Sequence, residues 1–236
     1  MNICITGVTR GIGRSLALEL AHKEHQLILV ARDRSLLDEL AQECNARAGL
    51  QVARTVEFDL SDADGTESVL PMYIRSITHQ IDVLVNNAGT LINKPFEQFT
   101  NSEARRIFEV NFFSLGAMIR GLLPLLRNAH EPHIVNISSM GGIQGSIKFS
   151  GLSYYSASKG AVAVLTEALA EELAESGIRI NAIAPGAVQT DMLASAFPGF
   201  KAPVTAGEMA KFLRWFVLEG YRYFNGKILP VSVSVP

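Results

Sequence analysis

Tyr155 and Lys159, four residues apart, are the residues of this sequence best suited to acid–base chemistry. They lie in Tyr154-Tyr155-Ser156-Ala157-Ser158-Lys159, which leads into an apolar and acidic run that predicts a long helix. At this spacing the two side chains share one helix face, whereas Tyr154 points elsewhere. A free tyrosine titrates near pH ~10, too high for proton transfer at neutrality. An ammonium about 4 Å away contributes about 4 kcal/mol at an effective dielectric of 20, so we expect Lys159 to lower the pKa of Tyr155.

Taken alone, the pair is equally compatible with a packed tyrosine and a solvated lysine, so the elements that position it matter. Short runs rich in Val, Ile and Leu alternate with helix-like runs, as in a parallel sheet covered by helices on both faces. The predicted strands are residues 2–6, 26–31, 51–57, 82–86, 133–138, 179–184 and 227–231. The predicted helices are residues 16–23, 35–47, 63–79, 101–127, 158–175 and 206–219. The pattern predicts an α/β fold: a single doubly wound Rossmann domain over residues 1–236 with a mostly parallel seven-stranded sheet.

A glycine-rich segment, Thr6-Gly7-Val8-Thr9-Arg10-Gly11-Ile12-Gly13, joins the first strand to the first helix. Glycines here allow a tight turn and a close approach of backbone to a pyrophosphate, which the helix amino end then faces. Such a loop can also be a plain strand-to-helix turn. The spacing Thr-Gly-x-x-x-Gly-Ile-Gly in this place resembles the short-chain dehydrogenase/reductase family. The resemblance implies that a nicotinamide dinucleotide binds against Gly7, Thr9, Arg10, Gly11, Ile12 and Gly13.

The end of the second strand, Ala31-Arg32-Asp33, bears on the choice of cofactor. An acidic residue at such a strand end binds the ribose diol of NAD, whereas an arginine accommodates the 2′-phosphate of NADP. By resemblance Ala31 occupies the position of the acid, and Arg32 and Arg10 are two cations suited to a phosphate dianion. We therefore expect NADP(H) rather than NAD(H). The alternatives are a solvated Arg32 with Asp33 capping the next helix, or Asp33 bound to a ribose.

Three further segments extend the resemblance along the chain. Asp59-Leu60 matches the pair that holds adenine in the family, although a local turn or helix cap explains Asp59 equally well. Asn87-Ala88-Gly89 follows the fourth strand and resembles the segment beside the adenosine ribose. Pro185-Gly186, Val188 and Thr190 resemble the segment that the family places against the nicotinamide carboxamide, whereas a strand and an ordinary turn explain only its first two residues.

The same resemblance implies that Asn111, Ser139, Tyr155 and Lys159 are the catalytic residues. In the family the serine orients the substrate carbonyl and the tyrosine donates a proton. The lysine lowers the tyrosine pKa and holds the nicotinamide ribose, while the asparagine holds a water that relays protons. Asn111 lies among apolar residues and is expected to be buried, so a core asparagine that only satisfies backbone groups is the alternative. Ser138 precedes Ser139, and one residue of register turns a side chain to the opposite face.

Composition excludes several classes of partner. The 236 residues carry a net charge of −2, with both signs spread along the chain, so no electrostatic footprint for nucleic acid or a membrane surface is present. We expect no signal peptide, because the sequence enters a strand at once, and no membrane span, because no apolar run approaches the ~20 residues that one needs. Only Cys4 and Cys44 occur. We expect a cytoplasmic protein with a small-molecule partner and no metal, and the resemblance implies a homodimer or homotetramer.

The sequence thus predicts an NADP(H)-dependent oxidoreductase that reduces a small ketone or aldehyde or oxidises the corresponding secondary alcohol. An NAD(H)-dependent alcohol dehydrogenase and a non-catalytic dinucleotide-binding sensor are the alternatives, and a sensor is expected to lose catalytic residues that this chain retains. The loop 140–153 is longer than in the family and the substrate lid near 191–203 is short, which suggests an open or adaptable site. Met192, Phe197 and Phe200 line this site or belong to the core.

Overall fold

The computed structural model describes residues 1–233 of the chain. In chain order its strands are β1 (Asn2–Thr6), β2 (Gln26–Ala31), β3 (Ala53–Glu57), β4 (Val83–Asn86), β5 (His133–Ile137), β6 (Arg179–Pro185), β7 (Val188–Gln189), β8 (Val204–Thr205) and β9 (Ile228–Val231). Seven of them form one parallel sheet in the order β3-β2-β1-β4-β5-β6-β9, and β7 pairs with β8. Each predicted strand is present to within two residues at either end. The predicted doubly wound α/β fold is confirmed.

The strands are apolar on both sides because helices cover both faces of the sheet. In β1, Ile3 and Ile5 belong to the core on one face, while Cys4, between them, belongs to the core on the other. All three side chains are fully buried. This alternation is the period of two that a strand imposes, and it fixes the sheet as the middle layer of three.

The helices are α1 (Gly11–Leu20), α2 (Arg34–Ala48), α3 (Ala63–Ser68), α4 (Leu70–Arg75), α5 (Asn101–Phe108), α6 (Ser114–Leu126), α7 (Ser153–Glu172), α8 (Asp191–Ala196) and α9 (Ala206–Glu219). The helix predicted over 63–79 is two helices, because Pro71 lacks an amide hydrogen and begins a new helix near its first turn. The lid contains α8, a helix that the sequence analysis did not predict. The helix predicted from residue 158 begins at Ser153, so Tyr155 lies inside it.

The helix predicted over 101–127 is interrupted by a π-helical turn, Glu109–Phe113, between α5 and α6. By length and composition the segment Asn101–Leu126 resembles a membrane span, with a mean hydropathy of 1.2 in its apolar window. However, 56% of that window is buried inside the protein, which is typical of a core helix. The π turn is centred on Asn111, and such turns are frequent at functional sites.

Candidate active site

The carboxyl ends of the parallel strands open onto a cavity of about 690 Å³, at the edge where α/β sheets bind ligands. Every residue predicted to bind the cofactor lines this cavity: Gly7, Thr9, Arg10, Gly11, Ile12, Gly13, Arg32, Asp59, Leu60, Asn87, Ala88, Gly89, Tyr155, Lys159, Pro185, Gly186, Val188 and Thr190. Ser139 also lines it, whereas Asn111 does not. The fold therefore brings together motifs that are up to about 180 residues apart in the chain.

Tyr155 and Ser139 place two hydroxyl groups together in this cavity. Tyr155 lies in the first turn of α7, and its side chain is hydrogen-bonded to Ser139 at the end of β5. The backbone N–H of Gly141 donates to Ser139 Oγ over 3.2 Å. A serine hydroxyl has one hydrogen to donate, and in the chain by itself Ser139 donates it toward Tyr155.

Lys159 is held beside this hydroxyl pair. It follows Tyr155 by one helical turn, and its Nζ lies 6.0 Å from the centre of the tyrosine ring. The side chain is only 4% exposed, and Nζ donates to the carbonyl oxygen of Ile137 over 2.7 Å. Burial lowers the pKa of Lys159 to about 8, so at neutral pH most molecules carry the ammonium. A positive charge is thus fixed at the end of β5.

The pKa of Tyr155 moves in the direction opposite to the sequence-based prediction. Burial raises it, and the hydrogen bond from Ser139 opposes that rise. The prediction counted the attraction of Lys159 for a phenolate and left out the cost of taking the phenolate out of water. In the chain by itself the second effect is larger, so Tyr155 is a protonated phenol at neutral pH. Proton donation by this residue therefore requires that its phenolate be stabilised as the proton leaves.

The two serines after β5 have different environments. The Ser138 hydroxyl donates to the backbone oxygen of Lys159 over 2.8 Å, and its side chain is 3% exposed. Both serines border the cavity, but the side chains of adjacent residues in an extended segment point in opposite directions, and the Ser139 hydroxyl has no such bond to the backbone of α7. Ser138 therefore joins β5 to α7, and Ser139 is the serine available to a substrate.

Asn111 is fully buried in the π turn, as its apolar neighbours predicted. Its Oδ1 accepts the Thr90 N–H over 2.7 Å, and its Nδ2 donates to the Thr90 oxygen and to Ser158 Oγ, each over 3.0 Å. Ser158 in turn donates to the backbone oxygen of Tyr155. The side chain thus satisfies backbone groups, as the alternative interpretation stated, and it also links the segment after β4 to the first turn of α7.

The glycines of the loop after β1 are required by packing within the protein. A Cβ at Gly7 would lie 2.7 Å from the Cα of Ala88, and one at Gly13 would lie 2.4 Å from Asn87 Nδ2. That amide instead donates to the backbone oxygens of Thr6 and Gly7, both over 3.0 Å. The loop is therefore fastened to the end of β4, a contact that no local motif reveals.

Thr6 is a residue of this site that the sequence analysis quoted but gave no role. Its side chain is 2% exposed, and Oγ1 accepts the backbone N–H groups of Asn87 and Ala88, each over 3.1 Å. A hydroxyl in a buried strand just before the glycine loop was the available signal, because a buried polar group needs partners.

The loop and the first turn of α1 fit a dinucleotide phosphate. Arg10 is the N-cap of α1, and its side chain makes no capping hydrogen bond. The first residues of the helix, 11–13, line the cavity, so the cavity lies at the helix amino end. Gly11 has a φ of +55°, and a Cβ there would approach Thr190 Cγ2 to 3.2 Å. Its missing side chain keeps the space between loop and lid open to a phosphate group, as anion sites at helix amino ends require.

The end of β2 carries exposed positive charge. Arg32 is exposed and lines the same cavity as Arg10. Asp33 also lines it, but its Oδ1 accepts the Leu36 N–H over 3.1 Å and caps α2, as the alternative for this residue stated. One carboxylate oxygen of Asp33 is thus engaged within the protein, which weakens the case for ribose binding by Asp33.

Two other predicted residues have roles inside the fold. Asp59 accepts the Ser61 N–H over 3.0 Å, which is the local turn considered as its alternative, while the residue still lines the cavity. A Cβ at Gly186 would lie 2.3 Å from Ser232 Oγ, so glycine is needed there for β9 to approach β6. These contacts explain the residue types without any ligand and leave the cavity-facing surface available.

Comparisons with known proteins agree with this geometry. A profile of the short chain dehydrogenase family matches residues 1–199. A chloroplastic tropinone reductase homolog from Arabidopsis thaliana is 36% identical over 193 residues, 82% of this chain and 58% of that protein. A putative short chain dehydrogenase from Escherichia coli, solved with NADPH, has a TM-score of 0.88 and 28% identity over 97% of this chain and 95% of that one. A 3-oxoacyl-acyl-carrier-protein reductase from Brucella melitensis with bound NAD has a TM-score of 0.83 and 28% identity over 98% and 88%.

These curated relatives extend beyond the matched region. The match covers 58% of the Arabidopsis protein, and the matches to two further curated relatives cover 64% and 60% of them, so this chain spans about three fifths of their length. The solved structures, by contrast, are covered almost completely.

Proposed function

This chain belongs to the short-chain dehydrogenase family of oxidoreductases, and we propose that it is an NADP(H)-dependent reductase of a small ketone or aldehyde, working in reverse as a dehydrogenase of the secondary alcohol. One observation carries the proposal. A protonated Tyr155, a Ser139 hydroxyl and a buried Lys159 ammonium line one cavity together with a glycine loop at a helix amino end. This is a proton donor next to an anion site, the combination that carbonyl reduction needs.

The nicotinamide cofactor, when bound, supplies the hydride that the carbonyl carbon receives. The carbonyl oxygen must then gain a proton, and Tyr155 is the acid in position to donate it. When substrate is bound, the Ser139 hydroxyl, which otherwise donates toward Tyr155, would donate to the same carbonyl oxygen and so hold the carbonyl against the tyrosine. The product is an alcohol, and Tyr155 is left as a phenolate that must regain a proton.

Lys159 stabilises that phenolate. Its ammonium is fixed by the Ile137 carbonyl and lies one helical turn from the tyrosine, where little water screens its charge. The attraction grows as the phenolate forms, so it assists proton release while burial keeps Tyr155 protonated at rest. Tyr155 is thus protonated at rest, the form that can donate to a carbonyl oxygen, and Lys159 offsets part of the cost of releasing that proton.

Arg10 and Arg32 support NADP(H) as the cofactor. Both line the cavity, and Ala31 at the end of β2 offers no carboxylate to a ribose diol. The solved relative with NADPH supports the same choice, whereas the solved relative with NAD supports NAD(H) as the alternative cofactor. Two guanidinium groups favour a 2′-phosphate by charge and by hydrogen-bond geometry.

We also propose a cytoplasmic homo-oligomer. Phe113 and Val164 are 51% and 66% exposed, and burying such side chains against a second copy supports association. Cys4 and Cys44 are buried free thiols, the form that a reducing compartment maintains. Light scattering on the purified protein tests the assembly, and a monomer at micromolar concentration contradicts it.

The proposed reaction is tested by titrating the protein with NADPH and NADH and then following cofactor oxidation with a panel of carbonyl compounds. We expect NADPH to bind at least about tenfold more tightly, since a charge-assisted contact to the 2′-phosphate is worth about 1.5–3 kcal/mol. Tighter binding of NADH contradicts the roles of Arg10 and Arg32. Tight cofactor binding without turnover of any carbonyl favours the sensor instead.

A further inference from the structure

The substrate side of Tyr155 is closed by apolar side chains. Leu91, Met140, Phe149, Leu152 and Phe197 line the same cavity as Tyr155 and Ser139, and we refer to these five residues as the apolar wall. They come from the segment after β4, from the loop 140–153 and from the lid. Four of the five wall residues, all but Leu91, thus lie in the two segments that depart from the family, where substrate preference is expected to lie.

The loop and the lid meet through two aromatic rings. The rings of Phe149 and Phe197 are 5.8 Å apart between centres and pack edge to face. Edge-to-face pairs are favourable beyond the area that they bury, so this contact holds the loop against the lid. Leu152, three residues before Tyr155, is 5% exposed and is the buried member of the apolar wall nearest in sequence to the catalytic tyrosine.

A short segment after β4, residues 93–94, ties both sides of the wall together. Asn93 Nδ2 donates to the Ala196 oxygen over 2.7 Å, next to Phe197, and the Lys94 N–H donates to the Gly151 oxygen over 3.0 Å, next to Leu152. Gly151 has a φ of +85°, and a Cβ there would lie 1.9 Å from Asn93 Oδ1. The loop, the segment and the lid are thus assembled by mutual fit.

Two lysines near the wall, Lys94 and Lys148, bind other groups of the protein. The Lys94 ammonium pairs with Glu103 at 2.8 Å, and Lys148 donates to Ser146 Oγ and to the Ile143 oxygen. Neither residue lines the cavity. Lys201 of the lid does not line the cavity either, so a substrate carboxylate or phosphate inside the cavity meets none of these three lysines.

Two further charged residues line the cavity outside the cofactor segments. Asp191 at the start of α8 is negative and disfavours an anionic substrate. Arg106 on α5 lies one turn before Val110, and Val110 lines a small second cavity with Leu60 and Ala88. That neighbourhood is the segment proposed for adenosine, so we assign Arg106 to the cofactor side.

We infer that this site takes a neutral, hydrophobic ketone or aldehyde, whose aryl or alkyl group packs on the apolar wall while its oxygen meets Tyr155 and Ser139. This inference rests on the proposed function and specifies its substrate class. Phe149 and Phe197 are the specificity-determining residues, and Asn93 is a positioning residue that acts through the lid.

The first test measures kcat/KM with NADPH for straight-chain methyl ketones of increasing length, an aryl methyl ketone, a polyhydroxy ketone and a keto acid. We expect a rise of about fourfold per added methylene until the wall is covered, because each buried methylene contributes about that factor. A preference for the keto acid or the polyhydroxy ketone overturns the inference and leaves the proposed function standing. Failure to reduce any of them, with NADPH bound, overturns both.

The second test compares Phe149→Ala with Tyr223→Ala, an aromatic truncation at a site that is 71% exposed and outside the cavity lining. In Phe149→Ala the ratio of kcat/KM between the longest and shortest ketone is expected to fall at least about tenfold, as the loss of a buried aromatic contact implies. NADPH affinity should not change in either variant. An unchanged ratio in Phe149→Ala contradicts the role of the wall.

The third test is Asn93→Asp, which keeps the size of the side chain but replaces the donating amide by a carboxylate oxygen that repels the Ala196 oxygen. Because the lid loses an anchor and the reacting groups do not, KM for the long ketone is expected to rise about threefold or more, with kcat and NADPH affinity nearly unchanged. A fall in kcat at constant KM contradicts the positioning role and indicates a direct effect on Tyr155.

Discussion

Acidification from pH 7 to pH 5 is expected to destabilise this protein through His133, a fully buried histidine in β5. Its ring packs between Phe216 and Tyr221, with ring centres 5.5 and 6.0 Å away. The amide nitrogen of Asn181 lies 3.2 Å from His133 Nε2. Asn181 Oδ1 accepts the Lys227 N–H, which fixes the amide with its donor toward the histidine. A second proton on the ring, at Nε2, would therefore face the Asn181 N–H donor and find no acceptor at that nitrogen.

The size of this loss of stability follows from the pKa of His133. Burial lowers the pKa of His133 to about 4, whereas an unfolded histidine titrates near ~6.5. Between these two values the unfolded chain binds a proton that the folded chain does not, so stability falls as the pH falls. At pH 5 the loss relative to pH 7 is about 2 kcal/mol, and it continues to grow until pH reaches the folded-state pKa.

Urea unfolding at pH 7 and pH 5 measures this loss in the native protein and in His133→Gln, which has no imidazole to protonate. We expect the native protein to lose about 2 kcal/mol more than the variant between the two pH values. His25, whose pKa burial also lowers, is present in both proteins and cancels in the difference. The exposed His130 provides the matched control His130→Gln, which should behave as the native protein does. Equal losses in the native protein and His133→Gln would refute this reasoning.

Two substitutions test other parts of the account. Arg32→Ala should weaken NADPH binding by about tenfold or more, while NADH affinity changes less than about twofold, since only NADPH carries the 2′-phosphate. Fluorescence titration measures both affinities. Equal weakening of NADPH and NADH binding contradicts the assignment of Arg32 to that phosphate. Gly142→Ala should lower the free energy of unfolding in urea by about 1–3 kcal/mol, because its Cβ would lie 2.6 Å from the backbone carbon of Lys159. Gly207→Ala is the control, with nothing within 4 Å of its Cβ, and should be neutral or stabilising by up to about 1 kcal/mol.

Local patterns were sufficient to predict the sheet and the residues around the cavity. Strands such as β1 and β2 are short apolar runs bounded by turn residues, and their predicted limits agree with the structure. Motifs at strand carboxyl ends must converge in a parallel sheet, which is why segments as distant as Gly7 and Thr190 line one cavity.

Features that depend on tertiary contacts were not predictable in the same way. The direction of the Tyr155 pKa depends on how much water the fold removes from the phenol, which residue spacing does not contain. The contact of Gly13 with Asn87 and the contact of Phe149 with Phe197 join residues far apart in the chain. The π turn at Asn111 goes with bonds from its side chain to Thr90 and Ser158, and such contacts are not contained in the apolar spacing from which one continuous helix is predicted.

The central claim is that Tyr155 donates the proton in carbonyl reduction, and Tyr155→Phe tests it by removing a single oxygen from a residue already packed in α7. The measurement is NADPH oxidation with a hydrophobic ketone by the variant and the native protein, together with NADPH affinity. We predict a fall in kcat of at least about 100-fold with NADPH affinity within about twofold, since a positioned acid contributes about 10²–10⁴-fold. Turnover by Tyr155→Phe at a rate near that of the native protein would contradict the account.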